Sequence, residues 1–193
     1  MNSASAYEMH ALEFLAARDE SLVGAGIVAS WARALPVGTD VIEIGCGGGY
    51  PVSRTLVEAG LSLWAIEPSP TLLERFRVRF PDIPTECAPA LESAYFGRQF
   101  GAAIAIGLLF LLEPSEQVAL LRRVSEIRLP GGRFLFTAPI ETGRWRDTTT
   151  GHECRSLGRA TYVAALENAG FCVIGTHVDE GKNNHYEARK VAS

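Results

Sequence analysis

The chain has 193 residues, 47% of them hydrophobic, and a formal net charge of −4 at pH 7. That length suits one domain with a substantial core. The mild acidity argues against a nucleic-acid-binding surface, which needs a basic patch. Cys46, Cys87, Cys154 and Cys172 make no CxxC pair and no metal-ligand spacing, so neither a disulfide nor a zinc framework is expected. The opening MNSASAYEMH has neither a basic n-region nor an apolar h-region. The longest apolar run, GAAIAIGLLFLLE, is too short to span a bilayer. A cytoplasmic protein with no membrane, nucleic-acid or metal partner is expected, with 1–193 as a single domain.

Helical spacing of Tyr7, Ala11, Phe14 and Leu15, and then of Ile27, Val28, Trp31 and Leu35, predicts two helices over 7–19 and 21–35. Pro36 and Gly38 stop the second. DVIEIG reads as a strand, followed by a helix that takes Pro51 early and ends near Gly60. LSLWAIE is a second strand. SPTLLERFRVRF is a helix with Ser69 as N-cap and Pro70 at its first position. A short strand at Ile83–Cys87 and a helical turn at Leu91–Phe96 precede the buried strand GAAIAIG. Ser115 is the expected N-cap of SEQVALLRRVSEIRL, which PGG ends, and RFLFTAP is the next strand. Residues 140–157 are polar and read as irregular, leaving Cys154 exposed, while Cys172 in FCVI belongs to the core. GRATYVAALENAG is the last helix, ending at Gly170. FCVIGTHV and HYEARKV are strands joined by the turn DEGKNN.

Strands alternating with helices predict an α/β fold, with a parallel sheet covered on both faces. The final turn is too short for a crossover, so the last strand must run antiparallel. The expected architecture is a Rossmann-like, seven-stranded, mostly parallel sheet with a reversed last strand. Residues 1–36 would form a helical lid and 37–193 the binding core. Ligands of such sheets bind beyond the C-terminal strand ends, where the strand order reverses.

Gly45, Gly47, Gly48 and Gly49 stand directly behind the first strand. A tight turn needs one glycine; four in five positions point to a backbone that a ligand approaches closely. The dinucleotide fingerprint G-x-G-x-x-G fails in both frames, because Tyr50 and Val52 occupy its third glycine. E-x-G-x-G-x-G fits, through Glu43, Gly45, Gly47 and Gly49. This pattern, with Glu67 closing the second strand, resembles motif I of the class I S-adenosylmethionine (SAM)-dependent methyltransferases. FGAAIAIG and LPGGRFLFTAP resemble the fourth and fifth strands of that family. The resemblance covers the chain from about Val37 onward.

The resemblance implies SAM as cofactor and S-adenosylhomocysteine as product. The loop Gly45, Cys46, Gly47, Gly49 would carry the methionine end, with Glu43 as a nearby acceptor. Glu67 would take the ribose hydroxyls, Pro68 and Ser69 just past it would flank the adenine, and Gly107–Leu108 would pass beneath the sulfonium. The acid that many relatives place after the third strand is absent. Adenine would then rest on backbone near Cys87–Ala90, on Glu92, or on apolar stacking, with Ala90 the nearest position.

A small acceptor is implied, because the chain has no NPPY-type motif and no appended substrate domain. Transfer would be a direct displacement, driven mainly by proximity and orientation. Tyr7, His10, Trp145, His185 and Tyr186 are the acceptor-binding candidates, and His152 and Tyr7 the candidates for proton transfer. Trp145 and Phe110 suit an aromatic or heterocyclic acceptor. Arg144, Arg146 and Arg155 could hold an anion or merely solvate their loop. A non-catalytic SAM-binding regulator is the alternative reading, and aminopropyl transfer and NAD-dependent reduction are the others. Oligomeric state is not legible.

Overall fold

The alternation in Asp40–Ile44 (β1) sends Val41 to one face of the sheet and Ile42 and Ile44 to the other, all fully buried. A strand buried on both faces reads as a mostly apolar run, interrupted here by the buried Glu43. The computed structural model describes residues 2–191, so the ends of the expected 1–193 domain lie outside the described residues.

Seven strands form the main sheet. They are β1, Ser62–Ile66 (β2), Thr85–Glu86 (β3), Phe100–Ala105 (β4), Arg128–Thr137 (β5), Phe171–Val178 (β8) and Asn184–Lys190 (β9). The order is β3-β2-β1-β4-β5-β9-β8. β9 runs antiparallel to both β5 and β8, so the reversed strand lies inside the sheet and the other six run together. The strand order reverses between β1 and β4, and there the glycine loop emerges.

Two apolar layers cover the sheet. Val28, Trp31, Leu56, Leu73 and Phe76 pack on one face with Val41 and Ile104. Leu120, Leu121, Val124, Tyr162 and Leu166 pack on the other with Ile42, Phe134 and Phe136. The helices carrying these side chains are Ala25–Arg33 (α3), Val52–Glu58 (α4), Pro70–Arg79 (α5), Pro114–Glu126 (α6) and Arg159–Asn168 (α7). Ser69 caps α5 as expected, accepting from the Leu72 N–H at 3.2 Å, with Pro70 in the first turn.

Several local expectations are corrected. The N-terminal segment forms three helices, Ser3–Met9 (α1), Ala11–Asp19 (α2) and α3, because the chain breaks at His10. Glu113 rather than Ser115 is the N-cap of α6. Pro114 takes the first turn, and Glu116 reaches back to the Glu113 N–H at 2.9 Å. Residues 140–157 are not irregular. Thr142–Arg146 (β6) and Glu153–Leu157 (β7) pair as a hairpin. Period-two alternation on β7 turns Cys154 and Ser156 inward, so Cys154 is buried, whereas Cys172 on the sheet-edge strand β8 is only half-buried.

Gly49 has φ +85°, and a Cβ there would lie 2.5 Å from Phe80 Cε2 and 3.0 Å from Phe76 Cδ2. Gly49→Ala is expected to cost about 2 kcal/mol of folding stability, through both backbone and overlap. Denaturant unfolding of wild type and variant measures it, and an unchanged midpoint would refute the packing role.

Candidate functional site

The C-terminal ends of β1, β2, β4, β5 and β8 open onto one cavity of about 240 Å³. Gly45 and Gly47 enter it from the first loop, Glu67 and Pro68 from β2, Gly107 from β4, Thr137 from β5 and Asp179 from β8. The Gly107 N–H donates to Thr137 Oγ1 at 2.7 Å, fixing these two strand ends together.

Glu67 organises the floor. One carboxylate oxygen accepts from the Gly47 N–H at 2.9 Å and the other from the Ser69 N–H at 3.0 Å. Burial pushes its pKa up to about 7, against the pull of these two bonds. Glu43 lies behind the loop, with Oε2 accepting from the Ser53 hydroxyl at 2.6 Å. Burial raises it to about 8; the Ser53 bond and the Arg18 charge oppose this, and the Glu67 charge adds to it. Cys46 is buried, and its thiol faces the Gly47 carbonyl rather than the cavity. Gly49 packs against α5 and is not part of the wall.

The roof is the helical lid. Ser3, Ala4, Tyr7, Phe14 and Arg18 all line the cavity. Glu8 docks α1 on the start of α5. It accepts from the Ser69 hydroxyl at 2.5 Å, the Thr71 hydroxyl at 2.6 Å and the Thr71 N–H at 3.2 Å. At the far end of α2, Arg79 of α5 donates to Asp19 at 2.9 Å and to the Gly48 carbonyl at 2.8 Å. Tyr7 closes the third side, donating to Asp147 Oδ2 at 3.3 Å across to the β6–β7 hairpin. Asp147 Oδ1 is pinned by Thr149 N–H and by both the N–H and hydroxyl of Thr150, at 2.8–3.1 Å. Burial, then the Asp147 charge, pushes the Tyr7 phenol upward, so it stays a donor.

Other expected residues lie elsewhere. His10 is paired with exposed Glu13 on the outer side of the lid. His152 is tied by Nε2 to the Leu111 carbonyl at 3.0 Å and does not line the cavity. Tyr186 is fully buried, stacked on Phe136 at 5.1 Å, because its register partner on β5 faces the core. His185 faces the opposite side of β9, fully buried, and bonds Asp179 Oδ2 at 2.9 Å. Burial pushes Asp179 upward, but bonds from His185 and Asn183 outweigh it and hold the carboxyl below its usual range. Ala90 is off the cavity wall, its carbonyl accepting from Tyr95. Trp145 borders a second, adjoining cavity. Asp147 and Asp179 were missed as a pair of wall carboxylates. The D-T-T-T turn around Asp147 is the signal the sequence offers for it. Among the described residues, no group of three or more His, Cys, Asp or Glu is placed to hold a metal.

A family model described as a methyltransferase domain matches residues 41–132. The magnesium protoporphyrin IX methyltransferase of Synechocystis PCC 6803, with bound SAM, superposes at TM-score 0.68 and 15% identity, over 86% of this chain and 77% of that one. The CcbJ methyltransferase of Streptomyces caelestis does so at 0.70 and 18%, over 87% and 90%. The glycopeptide N-methyltransferase MtfA in complex with sinefungin reaches 0.72 and 20%, over 91% and 96%. A tRNA U34 carboxymethyltransferase of Idiomarina loihiensis (strain ATCC BAA-735 / DSM 15497 / L2-TR) is 25% identical over 138 residues. That match takes in 62% of this chain but only 39% of the relative's length. Residues 41–132 thus match a methyltransferase domain, and the chain shares the fold of solved SAM-dependent methyltransferases.

The lid depends on Glu8. Glu8→Ala is expected to speed amide exchange across residues 3–19 while the β1 and β4 amides keep their protection. Unchanged exchange in the lid would sink the docking role. Glu43 sets a pH dependence. Its folded pKa lies above the ordinary 4.5, so the folded chain binds that proton more tightly. The stabilisation is full below about pH 4.5 and is lost as pH rises through about 8. Glu67 adds in the same direction. Thermal melts should show Tm falling less over that window in Glu43→Gln than in wild type.

Proposed function

We propose that this chain transfers the methyl group of SAM to a small, planar acceptor by direct displacement. One observation carries the reading: the glycine loop, Glu67 and Gly107 converge on a cavity that continues past them to Phe110, Leu111 and Thr137. A SAM-binding regulator would need no such extension. SAM, when bound, supplies a methyl group already activated by its sulfonium. The residues present fit it. Positive φ at Gly45 and Gly47 leaves backbone bare along the loop, and Glu67 stands where hydroxyl donors can replace its backbone partners.

Gly45 and Gly47 would hold the methionine end, with Arg18 and Asp179 on the wall around them. Glu67 would hold the ribose and Pro68 and Leu72 its flank. Tyr7 and Phe14 exclude water from above. The gain comes from alignment, since methyl displacement needs an in-line approach. Tyr7, donating to Asp147, is placed to orient the acceptor rather than to take its proton.

A tRNA acceptor, as in the name of the Idiomarina relative, would need a basic surface that a net charge of −4 does not favour. No helix among the described residues is long and apolar enough to cross a membrane. Four free cysteines suit a reducing cytoplasm.

Calorimetric titration with SAM and with S-adenosylhomocysteine tests the reading. Wild type should bind both. Glu67→Ala should bind at least about tenfold more weakly, the loss of one charge-assisted hydrogen bond. Glu67→Gln, which keeps an acceptor, guards against a folding defect. Absence of binding to either compound by wild type would overturn it.

A further inference from the structure

Beside the main cavity lies a second of about 280 Å³, and the two share Phe110, Thr137 and Asn183. Its character differs. The main cavity is walled by the carboxylates of Glu67, Asp147 and Asp179, with Arg18 as its cation. The second has a single charged side chain on its wall, Lys182. Lys182 forms no ion pair among the described residues. Asn183 and Asn184 also line it, and the Asn183 amide is committed to the Asp179 carboxylate at 3.0–3.1 Å.

The same cavity carries an aromatic pair on its wall. Phe110 and Trp145 stand with ring centroids 5.4 Å apart at 48°. Trp145 lies on β6, every residue of which is exposed, so core packing does not explain the ring. Phe110 follows β4, and Trp145 follows β5 through the hairpin. The ring pair therefore stands where an acceptor would approach the methyl end of the main cavity.

Lys182 is placed by a fixed turn. Its φ is +62°, a conformation that favours glycine or asparagine and costs a lysine about 1 kcal/mol or more. Its N–H donates to the Asp179 carbonyl at 2.9 Å, and the Asp179 carboxylate accepts from the Asn183 N–H at 2.8 Å. A buried aspartate thus holds the turn from which the lysine stem emerges.

We propose that the second cavity is the acceptor subsite and that it takes a planar aromatic or heteroaromatic acid. The ring lies against Phe110 and Trp145, and the carboxylate is held by Lys182. The main cavity's carboxylates repel that anion from the cofactor end, so the acceptor is oriented by charge at both ends. The proposal rests on the methyl-transfer reading and sharpens its substrate class.

The test compares 3-hydroxy-2-naphthoate with its neutral carboxamide. Binding to the full chain is followed by probe fluorescence, with and without S-adenosylhomocysteine. The acid should bind roughly fivefold or more tighter than the carboxamide, as a half-exposed ion pair allows. Lys182→Glu should abolish that preference, Lys182→Arg should keep it, and Trp145→Ala should weaken both probes alike. Equal binding of the two probes, binding of neither, or a preference that survives Lys182→Glu would overturn the proposal. Failure of S-adenosylhomocysteine to bind would instead sink the methyl-transfer reading, while the charge preference is still scored in its absence.

Discussion

The Glu67 carboxylate accepts from one N–H in the glycine loop and another at the start of α5. Each bond satisfies a backbone donor that burial would otherwise leave costly. The same corner holds the lid, since Ser69 uses its N–H on Glu67 and its hydroxyl on Glu8. Loop, helix and lid are thereby located relative to one carboxylate at the end of β2. Tyr7 and Phe14 line the cavity from above next to that corner, with Arg79 at the far end of α2 and Asp147 of the hairpin holding the other sides.

Charge is distributed unevenly around this frame. Glu43 and Glu67 are both buried, and both are pushed toward neutrality by that burial. A cation arriving beside them would favour their ionised forms. Arg18, its own charge disfavoured first by burial, already stands partway to that role between Glu43 and Asp179. In the second cavity the balance is reversed, since Lys182 is the charged residue that lines it alongside Phe110 and Trp145. On the proposed reading, a donor that loses its positive charge and an acceptor that carries a negative one would use separate surfaces that meet at Phe110 and Thr137.

The sheet and its glycine loop were readable because their signals are local. β4 is an apolar run and β1 is one apart from Asp40 and Glu43, Ser69-Pro70 is a capping pair, and the closing turn is too short for a crossover. Placing β9 between β5 and β8 was not readable, since strand order depends on which edges pair at long range. The β6–β7 hairpin was hidden because exposed strands lack apolar alternation; only Cys154 and Ser156 turn inward. Tyr186 and His185 show the limit for side chains. A one-residue difference in register decides which of two neighbours faces the core, and turn residues alone do not fix it. His152 looked like a base because a loop histidine has no visible partner in sequence, whereas its partner is a carbonyl 41 residues away.

The place of β9 inside the sheet also orders events on the ribosome. β5 and β8 are both synthesised before the strand that joins them. Until residues 184–190 emerge, β5 presents an open edge, and Phe136 lacks the Tyr186 ring that stacks on it. An open apolar edge is a template for pairing with another nascent chain. The turn that holds Asp179 and Lys182 leads directly into this missing strand. Completing the sheet and building the acceptor rim are therefore one event, and a chain whose rim has formed is also a chain whose dangerous edge has closed.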